Sequence, residues 1–123
     1  MVRLFGVLGA VSAFLAVAAG AFGAHGLKGR LGPEMLSVFD VAARYQMVHA
    51  LGLFIVAWAL GRAPGPAAVA AGWLFLAGTI LFSGSLYGMS LSGIRGLGAI
   101  TPLGGLAFLA GWAALAWHMS RAV

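Results

Sequence analysis

Phe22-Gly-Ala-His25-Gly-Leu-Lys28-Gly-Arg30-Leu-Gly-Pro33-Glu34-Met-Leu-Ser-Val-Phe-Asp40-Val-Ala-Ala-Arg44-Tyr45-Gln46-Met-Val-His49 is the stretch in which this chain turns polar. It holds both carboxylates, three of the seven Lys and Arg residues and two of the three histidines. Outward from it the chain is almost bare of charge. No Lys, Arg, Asp or Glu occurs from Leu4 to Leu27, Tyr45 to Gly61, Ala63 to Ile94 or Gly96 to Ser120. Each gap suits a helix of roughly 20 residues, the length that crosses ~30 Å of hydrocarbon. In lipid a spanning segment must satisfy its own backbone N–H and C=O groups, which selects helix over any open strand. Four spans are expected, at about 4–24, 42–60, 67–87 and 100–119.

Composition agrees. With 63% hydrophobic and 7% charged residues, the chain is far from the ~25% charged content of a soluble domain. Its 123 residues suffice for a single domain, but a soluble core of that size could not hide so much apolar surface. The formal charge of +5 is spread singly along the chain, without the basic face that nucleic-acid binding requires. The cations stand instead at the ends of apolar segments, where they anchor to headgroups. The absence of cysteine excludes disulfides, thiolate metal sites and cysteine nucleophiles. Arg3 and Ala19-Gly20-Ala21 have the outline of a signal peptide, but three further spans favour retention of this segment as the first helix.

Local signals place the joints. Gly26 is expected as a left-handed cap on the first helix, with His25 complementing the dipole. Gly32-Pro33-Glu34 opens the second, with Pro at the first helical position. From 33 to 44 this helix is amphipathic: Met35, Leu36, Phe39, Ala42 and Ala43 share one face, and Glu34, Ser37 and Asp40 the other. That prelude is expected to lie at the membrane surface, with Asp40 and Arg44 forming an i, i+4 ion pair. Gly-Arg-Ala-Pro-Gly-Pro at 61–66 and the glycine-rich 92–98 stretch are turns, and Thr101-Pro102 is expected as an N-cap followed by Pro. Short turns imply antiparallel neighbours, hence an all-α, antiparallel four-helix transmembrane bundle. Ala16/Gly20/Ala24, Gly84/Gly88 and Ala107/Gly111 form small-xxx-small ladders suited to close helix contact.

That topology gathers the end of span one, the start of span two, the end of span three and the start of span four on one side. His25, Tyr45, Gln46, His49, Ser83, Ser85, Tyr87 and Thr101 come from those ends and are expected to converge on one polar pocket below the headgroups; His118 lies opposite. Each has a plain alternative. Tyr is an interfacial anchor, Ser and Thr bond backbone carbonyls or cap helices, and His25 complements a dipole. His49 carries most information, because an ionisable group inside a span is a functional candidate by default. No metal site is expected: the HxxxH-type spacing of catalytic zinc is absent. Ser83 and Ser85 lack a nucleophile elbow, and no carboxylate is embedded to drive proton-coupled transport. No cofactor is implied.

Five ordered motifs resemble a known family: Gly-Ala-Phe-Gly-Ala-His at 20–25, Tyr-Gln-x-x-His at 45–49, Leu-Phe-Ser-Gly-Ser-Leu-Tyr at 81–87, Thr-Pro-Leu-Gly-Gly at 101–105 and Phe-Leu-Ala-Gly-Trp at 108–112. The chain is similar over essentially its whole length to the domain of unknown function 423 family, which includes transmembrane protein 256-like proteins. Val48 departs from it, standing where an aromatic residue would precede the histidine. The resemblance implies four membrane helices and a bacterial inner-membrane location, and brings no activity. Three functions remain open. The leading one is a non-enzymatic component that packs against lipids or membrane-protein partners. Next come an oligomeric small-solute transporter or channel subunit using the polar pocket, and an enzyme acting on a lipid or quinone. Arg3, Arg62 and Arg121 on one side against Lys28, Arg30, Arg44 and Arg95 on the other are too evenly matched to orient the chain.

Overall fold

The computed structural model describes residues 1–122. In chain order it runs α1 (Val2–His25), α2 (Pro33–Arg62), α3 (Pro66–Gly78), a π-helical turn (Thr79–Ser83), α4 (Gly84–Ser92), a 3-10 turn (Arg95–Ala99) and α5 (Thr101–Ala122). Because α3, the π turn and α4 are continuous, four rods are long and apolar enough to cross a membrane: Val2–His25, Pro33–Arg62, Pro66–Ser92 and Arg95–Ala122. The protein is an all-α, four-helix membrane protein. Each rod is longer than its expected span, since the apolar pattern marks only the part in hydrocarbon.

α2 is the centre. It buries Phe39, Ala42, Ala43, Gln46, His49, Ala50, Leu53, Val56, Ala57 and Leu60. α1 packs chiefly on α2, and α5 chiefly on α3. The prelude behaves as its pattern requires, with Phe39, Ala42 and Ala43 buried and Glu34, Ser37 and Asp40 exposed. It continues into the span without a break. α1, by contrast, buries only Phe5, Gly9 and Ala16; Phe14 and Val17 face outward, as lipid permits.

Glycine does bring helices together, but mostly at other positions than the ladders suggest. A Cβ at Gly72 would collide with the Phe5 ring, one at Gly111 with Phe75, and one at Gly78 with Phe108. The glycines are seats for phenyl rings on facing helices. At Gly104 the obstacle is the Phe82 backbone itself, so α5 and the π turn touch main chain to main chain. Gly20 meets nothing, Gly84 only its own helix and Gly88 only Leu97. Of the glycines in the expected ladders, only Gly111 is such a seat; Ala16 of the first ladder is buried.

Two caps also differ. Gly26 is right-handed at φ −84°, its N–H and that of Leu27 both closing on the Phe22 carbonyl. The left-handed closures fall at Gly29 (φ 88°) and at Gly93 (φ 77°), which ends α4. Thr101 opens α5, but its hydroxyl turns to Ser85 instead of capping the helix. In the π turn the Gly84 N–H reaches back to the Thr79 carbonyl, five residues away, and Thr79 Oγ1 donates to the Phe75 carbonyl at 2.8 Å. Periodicity gave no warning of this turn, because an apolar run reads alike in either helix.

Candidate functional site

The eight expected pocket residues do not share one pocket. Gln46 lines one groove with Thr79, Ser83 and Tyr87, whereas Tyr45 and His49, one turn apart on α2, line another with Phe82 and Phe108.

On the first side Gln46 is 7% exposed. Its Nε2 donates to the Ser12 carbonyl at 3.2 Å and to Ser12 Oγ at 3.3 Å, while its Oε1 accepts the Tyr87 hydroxyl at 2.6 Å. One amide thus joins α1, α2 and α4. One turn away, Ser83 Oγ donates to the Ala42 carbonyl at 2.8 Å. Phe39 closes this layer, edge-on to Tyr87 with ring centres 5.0 Å apart. Outside it runs a groove of ≈ 560 Å³ between α1 and α4, walled by Leu15, Phe22, Gly84 and Leu91 and floored by Gln46 and Tyr87.

On the second side His49 is 3% exposed. Its Nδ1 lies 2.8 Å from the Tyr45 carbonyl, and its Nε2 lies 3.0 Å from Trp112 Nε1. A carbonyl only accepts and an indole N–H only donates, so Nδ1 carries the proton and Nε2 is the acceptor. The imidazole is a neutral single tautomer with both nitrogens engaged. It stacks on Phe108, centres 3.5 Å apart and planes within 5°, and meets Phe75 edge-on at 5.3 Å. Beside it a second groove of ≈ 650 Å³ opens between α2 and α5, lined by Tyr45, Phe82, Pro102, Leu106 and Leu109. Ser85 and Thr101 share a 2.6 Å hydrogen bond that joins α4 to α5. His25 is exposed at the end of α1, apart from both clusters.

Charge stays at the surface. Asp40 and Arg44 form the expected pair, 2.8 Å apart. Glu34 has a partner that local spacing did not reveal: Arg95 grips it with two bonds of 2.8 and 3.0 Å across 61 residues. Both side chains are about two-thirds exposed, at 68% and 66%. The bond from Arg95, and then its charge, hold the Glu34 carboxyl below its ordinary value. No group of three metal-ligating side chains exists among the described residues.

Sequence reasoning missed Ser12 and Trp112. Both left a signal. Ser12 is the only hydroxyl between Leu4 and Ala24, and an indole N–H placed within hydrocarbon needs an acceptor. Neither signal says which helix supplies the partner.

Comparison with known proteins agrees with this architecture. Residues 19–105 match the family described as "Protein of unknown function (DUF423)". The UPF0382 membrane protein YwdK of Bacillus subtilis (strain 168) is 52% identical over 111 residues, which is 89% of this chain and 90% of that protein. The UPF0382 membrane protein SH2409 of Staphylococcus haemolyticus is 50% identical over 113 residues, 89% of each. No solved structure matches the chain.

Proposed function

The chain belongs to the DUF423 family, and from that premise we propose that it is a non-enzymatic component of the bacterial cytoplasmic membrane. Its work is packing, in which the lateral grooves receive lipid chains or a partner's membrane helix. One observation carries this reading. The buried polar side chains of the two clusters are engaged with one another or with backbone, so they serve as interhelical ties. His49 has neither a free nitrogen for a metal nor a free lone pair for proton abstraction, as a general base requires. Gln46 and His49 also bond to different helices and line different grooves, which gives no continuous polar path for a solute. The grooves are the surfaces left over, and their linings are almost entirely apolar.

The test is native mass spectrometry of the protein extracted gently from its own membrane, with elemental analysis of the same sample. The expected result is the chain alone or with a second membrane protein, carrying only lipid. A stoichiometric metal or non-lipid small molecule that disappears in His49→Ala would overturn this function. A defined homo-oligomer conducting solute would replace it with the transport reading.

A further inference from the structure

Where α1 ends and the surface prelude begins, a cleft of ≈ 260 Å³ lies between them, lined by Gly20, Ala24, Lys28, Leu36, Phe39 and Asp40 among others. It exists because α1 offers small residues there; a Cβ at Gly20 would meet nothing. The connecting loop is fixed. Leu27 is 5% exposed, and its carbonyl accepts the N–H groups of Arg30 and Leu31 at 2.9 and 3.1 Å. Left-handed Gly29 lets the loop fold back on itself. Lys28 and Arg30 are therefore presented to solvent by an anchored turn.

Among the described residues no side-chain carboxylate answers their charge. The chain's two are both engaged elsewhere, Asp40 by Arg44 and Glu34 by Arg95. At the opposite end of the molecule Arg62 lies over Trp58 at 5.9 Å and Arg121 over Trp117 at 5.0 Å. Lys28 and Arg30 have no such ring. The cleft thus combines apolar walls from Leu36 and Phe39 with Lys28 at its rim; the Asp40 carboxylate in the same lining is already neutralised by Arg44, and Arg30 stands on the same anchored turn just outside the lining. A ligand that fits must be apolar below and anionic above.

We propose that this cleft holds an anionic phospholipid of the surrounding bilayer. Its phosphate sits at the Lys28 ammonium, with the Arg30 charge on the same turn adding to the attraction, and the upper part of an acyl chain lies against Leu36 and Phe39. The inference deepens the packing function, on which it rests, by naming the lipid class and the place where it is held. Two cations near a membrane surface favour anionic over zwitterionic lipid by roughly tenfold or more.

The test uses the full chain in mild detergent, titrated with phosphatidylglycerol or with phosphatidylcholine of the same acyl chains and read by native mass spectrometry. The wild type is expected to retain one phosphatidylglycerol roughly tenfold better than phosphatidylcholine. K28Q/R30Q is expected to lose that preference. R3Q/R121Q, which removes the same charge at the other end, is expected to keep it. Gly20→Leu fills the cleft without changing charge and is expected to release the lipid. The proposal is overturned by an indifferent wild type, by K28Q/R30Q retaining the preference, by R3Q/R121Q losing it equally, or by Gly20→Leu binding as before. Each of these outcomes leaves the packing function standing, whereas a bound metal or metabolite would remove that function and leave the lipid preference measurable.

Discussion

Gln46 and His49 are three positions apart on one helix, both buried, and they solve the same problem differently. Gln46 faces α1 and α4 with an amide that donates and accepts, so three helices share one polar group. His49 faces α5 with a ring locked in one tautomer, a single bond to Trp112 and a stack on Phe108. If the amide is lost, Ser12 can bond a carbonyl of its own helix. If the imidazole is lost, the Trp112 N–H loses its acceptor and a ring-sized void opens beside Phe108. The first flank would lose hydrogen bonds alone, the Tyr87 hydroxyl among them; the second would lose a hydrogen bond and a stacked ring together.

The largest effect is therefore expected from His49→Ala, a loss of roughly 2–4 kcal/mol from the void and the orphaned indole together. Thermal unfolding followed by tryptophan fluorescence would measure it. His49→Gln keeps an acceptor near the Nε2 position and should recover part of the loss; no recovery would mean that stacking, not the hydrogen bond, holds α5.

Next comes main-chain contact on the α5 side. Gly104→Ala drives a methyl into the Phe82 backbone, whereas Gly105→Ala reaches only a ring carbon 4.0 Å away. The first should cost about 1–3 kcal/mol and the second should be nearly silent. Equal melting temperatures for the pair would show that α5 does not sit so close.

Gln46→Leu keeps the volume and removes the amide. Membrane hydrogen bonds average about 0.6 kcal/mol and rarely exceed ~1.7, so a loss near 1 kcal/mol is expected. A cost equal to that of His49→Ala would break the distinction between the two flanks.

The smallest effect belongs to the exposed Glu34–Arg95 clamp. Because the Glu34 carboxyl is held below its ordinary value, its contribution is present at neutral pH and fades as the pH falls through that lowered value. Glu34→Gln should abolish this acid dependence while leaving neutral-pH unfolding nearly unchanged. The same acid slope in wild type and variant would show that the clamp does not cause it.

Much of this architecture was legible in advance. Charge-free runs gave the four spans, Pro33 and Glu34 placed the start of α2, and Asp40 with Arg44 gave the surface pair. These are local properties, written in neighbours three or four positions apart. The partners of Gln46, His49 and Glu34 are not local. Whether Tyr45 and Gln46 serve one pocket or two depends on which helix lies at each angle around α2, and spacing along one helix carries no such information. The glycine seats were hidden for the same reason: Gly20 and Gly72 look alike in sequence, but only Gly72 has a phenyl ring opposite.

The five residues from Thr79 to Ser83 behave as an insertion that was absorbed instead of looped out. A wide turn takes up one residue more than an ordinary one, so every side chain beyond it is turned by about 100° relative to an unbroken helix. Phe75 and Gly78 before it are phased for α5, while Ser83, Ser85 and Tyr87 are phased for Ala42, Thr101 and Gln46. Deleting one residue within 79–83 would yield a more regular rod with its later half out of phase. That chain would still cross a bilayer, with its polar fasteners aimed at the wrong neighbours.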